Sequence, residues 1–167
     1  SGIDGKLIQA KRNRGIKVKE NGKFKLIKDL SGKPININTN LLNLLLDNNY
    51  TPILSVPLID EKNTAINSEN DDIVKVLTWQ MNADKIIMLL EAKGFLKDIK
   101  DPNSLIKSIS KEELKQKTEQ TEGRMKRKML ALTKLFEKEA NPTIYLSDGR
   151  IEKPITKALN NEGTTIN

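Results

Sequence analysis

Short apolar runs separated by stretches of helical periodicity constrain this chain more than any other feature. Lys85–Leu90 and Pro52–Leu58 are almost continuously apolar, the pattern of strands buried on both faces. Between and after them, apolar residues recur at helical spacing. Ser68 opens one such segment, with Ile73, Val76, Leu77 and Gln80/Met81 along one side. Its first turn holds Asp71 and Asp72, where the helix dipole favours carboxylates. Thr39–Asp47 reads as a shorter Leu/Asn helix, capped by Thr39 and stopped by Asn48-Asn49. Ser110 and Glu113 form a capping box for another helix. Gly123 precedes a long one carrying Met125, Met129, Leu132 and Phe136. Pro142–Leu146 predicts a strand, Asp148-Gly149 a turn, Pro154–Leu159 a short helix and Gly163–Ile166 a last strand. Such alternation predicts a three-layer α/β/α fold with a mainly parallel sheet covered on both faces. With 167 residues and no repeat or linker, residues 1–167 read as one domain, or part of a larger one.

The composition removes whole classes of chemistry. There is no cysteine and no histidine. Disulfides, thiolate nucleophiles, Cys/His zinc sites and histidine acid–base mechanisms are therefore excluded, and no metal ligand set is visible. No apolar run approaches the roughly 18 residues of a membrane span, and no signal-peptide pattern opens the chain, so the expected location is the cytoplasm, away from membranes. The chain starts at Ser1 rather than Met, as a piece of something longer would.

Charge is concentrated at one end. Residues 1–33 hold ten positive groups against three negative ones, which equals the +7 net charge of the whole chain. A localised basic surface suits an anionic partner, although it is also what a plain solvated lysine surface looks like. Within it, residues 15–28 read as a β-hairpin. A three-residue loop of Glu20, Asn21 and Gly22 would set Val18 opposite Phe24 and Ile16 opposite Leu26, keeping the apolar residues on one face. That register gathers Lys17, Lys19, Lys23 and Lys25 on the other face, with like charges facing each other. A carboxylate-rich partner would relieve that repulsion. A basic nucleic-acid-binding module is an alternative. Against it stand the 4% aromatic content and the confinement of charge to one region.

Four stretches carry a more specific signal. Asn67-Ser-Glu-Asn-Asp71 opens a helix, and Lys85–Leu90 runs into Glu91-Ala-Lys-Gly94. Gly123-Arg-Met-Lys-Arg-Lys128 opens the long helix, and Ser147-Asp-Gly-Arg150 is followed by Gly163-Thr164. In this order they resemble the amino acid kinase family, specifically its acetylglutamate kinase branch. The corresponding family motifs are Asn-x-Asn-Ala-Asp, Thr-Asp-Val-x-Gly and Gly-Gly-Met-x-x-Lys. Ser1-Gly-Ile-Asp-Gly5 and Asn49-Tyr-Thr-Pro-Ile53 are also similar to family text. The third motif is similar to kinases that phosphorylate aminoadipate or glutamate held on an acidic amino-group carrier protein, in lysine and sometimes arginine biosynthesis. An acetylglutamate kinase acting on the free acetylated amino acid is the alternative within the family. Aspartate, uridylate and carbamate kinases share the fold.

The resemblance implies a carbamate kinase-like fold, ATP as phosphoryl donor and Mg2+ held through the nucleotide phosphates. It implies that residues 1–167 form the nucleotide-binding C-terminal portion of such a kinase. The family's phosphate-facing lysine strand and Gly-Gly loops would lie outside this sequence, leaving the piece inactive alone. The complete parent would be a homo-oligomer. By motif position Lys128 becomes a catalytic cation, Asp71 the carboxylate that orients the family's two lysines, and Asn67 a substrate-binding residue. Leu90, Glu91, Gly94, Gly123, Met125 and Lys126 fall at nucleotide-binding positions, with Leu90-Glu91 in place of the usual Thr-Asp. An exposed helix lysine, a carboxylate partnering Ser68 at a helix start and a turn glycine are the structural explanations for Lys128, Asp71 and Gly94.

Overall fold

The computed structural model describes residues 1–98, 101, 103–120, 123–138 and 141–167. The chain divides into two compact units, Ser1–Met81 and Asn82–Asn167.

The first unit contains β1 (Ile8–Arg12), β2 (Ile16–Glu20), β3 (Lys23–Ile27), β4 (Gly32–Ile37), α1 (Thr39–Asp47), β5 (Leu58–Asp60), β6 (Ala65–Ile66) and α2 (Asn70–Met81). Four strands form a sheet in the order β4-β1-β5-β6, with β1 parallel to β5 and the other pairs antiparallel. Ile8, Ala10, Ile37, Leu42, Leu58, Ile66, Ile73 and Val76 build its core. Helix α2 packs on β4, where the Ile37 N–H donates to Gln80 Oε1 at 2.7 Å. Asp60 pins the end of β5. Burial by itself would raise its pKa, but the Thr64 and Lys62 amides donate to Oδ1 and Arg12 Nη2 lies 2.7 Å from Oδ2, so the carboxyl is held below its ordinary value.

The second unit contains β7 (Lys85–Leu90), β8 (Ser108–Ile109), α3 (Lys111–Gln120), α4 (Gly123–Thr133), β9 (Thr143–Asp148), α5 (Pro154–Leu159) and β10 (Thr164–Ile166). The sheet order is β7-β9-β10-β8. β7 runs parallel to β9, and β10 parallel to β8, while β9 and β10 are antiparallel. Ile109, Ile144, Leu146 and Ile166 are fully buried in this sheet, with Leu114 and Leu132 supplied by α3 and α4. The expected capping box is present: the Glu113 N–H donates to Ser110 Oγ at 3.1 Å and the Ser110 N–H to Glu113 Oε2 at 2.8 Å. No helix among the described residues is long and apolar enough to cross a membrane. The α/β architecture follows the sequence pattern, with parallel and antiparallel pairs mixed in both sheets.

Several local expectations are corrected. Residues 52–57 do not form a strand; only Leu58–Asp60 does. A doubly buried strand needs neighbours on both sides, yet this segment carries two prolines without donors and Ile53 is 90% exposed. Helix α1 is capped by Asn38, whose Oδ1 accepts from the Leu41 N–H, and not by Thr39. Helix α2 starts at Asn70, with the Glu69 carbonyl accepting its first amides, and not at Ser68.

The hairpin register also differs. Val18 faces Lys25, Lys19 faces Phe24, Lys17 faces Leu26 and Glu20 faces Lys23, across a two-residue Asn21-Gly22 loop. Lys17 and Lys19 therefore share a face with Phe24 and Leu26, while Lys23 and Lys25 lie on the other. A single four-lysine face does not exist. The physical reason is burial. In β9, a one-residue slip would expose Ile144 and Leu146, each worth about 1.5–3 kcal/mol when buried. Every described side chain of the hairpin is exposed, so matching its apolar residues gains little. The turn then decides. Asn21 at φ 50° and Gly22 at φ 78° supply the two positive φ values of a type I′ turn, and Glu20 gains a lysine opposite it.

An ideal Cβ on Gly22 meets nothing within 4 Å, so Gly22→Ala costs only the left-handed backbone term of about 1 kcal/mol. Amide exchange should quicken in β2 and β3 alone, with global melting unchanged. Cross-strand Overhauser contacts should pair Val18 with Lys25 and Lys19 with Phe24. Contacts pairing Val18 with Phe24 would contradict this register.

Candidate functional site

In the first unit, the expected substrate residue lies where β6 meets α2. The Asn67 N–H donates to the Leu30 carbonyl at 2.7 Å, and its own carbonyl accepts from Gly32 at 2.9 Å. The backbone is thus fixed while the side chain stays exposed. Gly32 is required here, because a Cβ would run into Ile66 and the Lys11 carbonyl. Ser68 Oγ is buried and has no hydrogen-bond partner among the described residues. It does not pair with Asp71. In the first turn of α2, Asp72 takes Lys75 at 3.0 Å, while Asp71 is exposed with no ion-pair or hydrogen-bond partner among the described residues. That leaves Asp71 as an available carboxylate at a helix start. A cavity of about 430 Å³ elsewhere in this unit, lined by Lys6, Lys11, Asp60 and Glu61 among others, gathers none of the expected site residues.

In the second unit, β7 and β9 pair in register from Lys85↔Thr143 to Leu90↔Asp148, so both strands end at one edge. In sheets of this kind, ligands bind beyond the carboxyl ends of parallel strands. The chain turns at Gly149, whose N–H donates to the Leu90 carbonyl at 2.8 Å. Arg150 then folds back onto Asp148 as a fork, with Nε to Oδ1 at 2.9 Å and Nη2 to Oδ2 at 2.8 Å. The Arg150 amide adds a third bond to Oδ1 at 3.0 Å. The Asp148 pKa falls to about 2, through the Arg150 side chain and amide and then the charges of Arg150 and Lys93, against a smaller opposing effect of burial. The Arg150 pKa is raised by Asp148 first, with Glu91 adding to the effect.

Beside this pair lies a pocket of about 330 Å³ lined by Lys93, Lys107, Lys157, Ser147, Asp148, Ile151, Leu105 and Glu162. With Asp148 engaged by Arg150, three lysines stand against the Glu162 carboxylate, and the net positive lining suits a polyanion. Gly94 holds the segment after β7 against β10. Its φ is 145°, and a Cβ there would collide with Thr164. Thr164 Oγ1 accepts from the Phe95 N–H at 2.8 Å and donates to the Ile106 carbonyl at 2.6 Å. Gly94 therefore has a packing role at this edge.

Of the expected nucleotide residues, the structure brings Leu90 beside Asp148 and Glu91 into the field of Arg150. Lys126 and Lys128 are half-buried on α4, whose Met129 and Leu132 face the core, and they do not line the pocket. Gly123 is the first residue of α4, and the Met125 side chain lies outside the described residues. Sequence reasoning assigned no role to Lys93, Lys107, Asp148, Arg150 or Lys157. For Asp148 and Arg150 the signal was present in Ser147-Asp-Gly-Arg150, as a charge pair spanning a turn at a strand end.

A depressed carboxyl pKa stabilises the fold above its unfolded value of about 3.9 and loses that contribution as pH falls through its folded value. For Asp148 the window runs from about pH 4 down to about 2. Wild type and Asp148→Asn should differ in melting temperature by a constant gap from pH 6 to about 4. The gap should close toward pH 2; a gap still open there would contradict the assignment.

The chain is similar to known proteins along nearly its whole length. The model of the amino acid kinase family matches residues 2–146. A LysW-aminoadipate kinase of Thermus thermophilus is 33% identical over 169 residues, covering 99% of this chain and 62% of that protein. An acetylglutamate kinase of Methanosphaera stadtmanae is 38% identical over 119 residues, covering 70% of this chain and 40% of that protein. The solved structure of a Giardia carbamate kinase shares the fold at a TM-score of 0.67 and 18% identity, covering 96% of this chain and 60% of that one. The chain thus spans about three-fifths or less of the length of these relatives. With the family model matched from Gly2 to Leu146, the chain belongs to the amino acid kinase family.

Proposed function

We propose that this chain is the nucleotide-binding part of an ATP-dependent kinase that phosphorylates the side-chain carboxylate of aminoadipate or glutamate carried on an amino-group carrier protein. The observation that carries the reading is the extent of similarity. The match to the LysW-aminoadipate kinase runs through 99% of the chain, including the Gly123–Lys128 segment, whereas the acetylglutamate kinase match covers 70%. The higher identity of that shorter match, 38%, favours a second reading, phosphorylation of free acetylglutamate.

In either reaction a carboxylate oxygen attacks the γ-phosphorus as the bond to the β–γ bridging oxygen breaks, giving an acyl phosphate and ADP. Little covalent work falls to the protein, so catalysis consists of positioning and charge stabilisation. Lys128 is the proposed cation for the charge that develops on the transferred group, with Lys126, Gly123 and Met125 beside the nucleotide. Asp71 is the proposed carboxylate that orients the lysines, and Asn67 holds the substrate. Leu90, Glu91 and Gly94 form the nucleotide edge, next to the lysine-walled pocket at the ends of β7 and β9. The pocket's cations suit phosphate oxygens, and Mg2+ would be carried mainly by the nucleotide phosphates. The 167-residue chain alone is proposed to be inactive, and the complete protein to be the enzyme.

The complete kinase should show a higher kcat/KM with the carrier-bound amino acid than with free acetylglutamate; the reverse order supports the second reading. In that protein, Lys128→Ala should lower kcat by about 10²-fold or more, with nucleotide affinity changed much less. A rate within threefold of wild type removes Lys128 from the mechanism. Asp71→Asn should cause a comparable rate loss while stability changes by no more than about 1 kcal/mol, since the exposed carboxylate anchors nothing. Sharply lowered melting with full activity in the folded fraction would make Asp71 structural.

A further inference from the structure

The hairpin β2–β3 forms a sheet of its own, paired with no other strand among the described residues. Its two faces are chemically different. Directly opposed residues of an antiparallel pair project to the same side, so Lys17–Leu26 and Lys19–Phe24 define one face. That face carries two cations, two apolar side chains and no carboxylate. Phe24 is 75% exposed and Leu26 49% exposed. The other face is partly neutralised: Glu20 sits opposite Lys23, and Lys25 Nζ lies 3.6 Å from Glu20 Oε2.

From these observations we infer that the Lys17–Lys19–Phe24–Leu26 face is a docking surface for an acidic protein. The inference rests on the carrier-bound reading above for the identity of that protein. Charge complementarity argues for the occupant: residues 1–33 supply the chain's entire +7 net charge, and this face has no internal anion to satisfy its lysines. An exposed aromatic beside a leucine, rimmed by cations, has the make-up of an interface centre. Nucleic acid fits less well, because a single phenylalanine offers no stacking platform and lysines lack the forked geometry of arginine. A lipid surface fits less well too, because one Phe and one Leu give little apolar area to insert.

The test uses the complete kinase and a purified LysW-type carrier protein, followed by stopped-flow association across a salt series and by carrier KM. Lys17→Glu with Lys19→Glu should slow association about tenfold or more at low salt, with the gap fading near 0.5 M. Phe24→Ser should act mainly on dissociation, quickening it by about tenfold. Lys23→Glu with Lys25→Glu, a charge change of equal size on the opposite face, should stay within about threefold of wild type. Equal slowing by both double variants would overturn the face assignment and leave only a diffuse basic field. Carrier phosphorylation with KM unchanged in the Lys17/Lys19 and Phe24 variants would overturn the docking surface while the functional reading stands. Carrier binding that depends on this face without phosphorylation would support the surface and remove the functional reading. Loss of binding to a single-stranded RNA 12-mer or to phosphatidylserine vesicles in the same variants, with carrier association unaffected, would reassign the face to that ligand.

Discussion

The parallel, in-register pairing of β7 with β9 is the constraint on which the candidate nucleotide edge depends. Because Leu90 and Asp148 are partners, both strands end together, and the turn at Gly149 delivers Arg150 onto the Asp148 carboxylate. Packing holds that register. Ile144 and Leu146 are fully buried, and at about 1.5–3 kcal/mol each they outweigh an ion pair whose arginine is largely exposed. The Asp148–Arg150 fork therefore contributes less to stability than to the local field. It occupies the one well-buried carboxylate of the pocket and leaves Lys93, Lys107 and Lys157 as the cations that line it.

Where burial is strong, the sequence was readable. β7, β9, α3 with its capping box, α4 and α5 stand close to where apolar spacing and Ser/Glu or Pro signals put them. Pro52–Leu58 was misread because a continuous apolar run signals a strand only when neighbours exist to pair with it. β1, β4 and β8 went unread for different reasons: lysines interrupt the first two, Pro34 lies within β4, and β8 is two residues long. In the hairpin, an argument from matched apolar faces lost to turn chemistry, because no described side chain there is buried.

The site divides in the same way. Leu90, Glu91 and Gly94 could be placed at the candidate edge because they follow a strong strand signal, with Gly94 at the motif's glycine position and Leu90-Glu91 in place of its Thr-Asp. Lys107 and Lys157 could not be, because they are distant from Lys93 in sequence. Lys107 reaches the pocket through the sheet order β7-β9-β10-β8, in which its carbonyl accepts from Thr165 at 2.9 Å and ties the segment before β8 to β10, and Lys157 reaches it on α5, which packs on β9. Asp71 and Asn67 belong to the first unit, and Lys128 and the lysine-walled pocket to the second.

The central claim is that nucleotide binds at the shared carboxyl ends of β7 and β9. Hydrogen–deuterium exchange of the complete protein, with and without Mg2+ and the non-hydrolysable ATP analogue AMP-PNP, tests it most directly. The account predicts new protection in the peptides spanning residues 90–96 and 146–151, where the Gly94 and Gly149 turns meet the lysine-walled pocket. Saturating nucleotide that protects other segments while leaving both of these unchanged would contradict it.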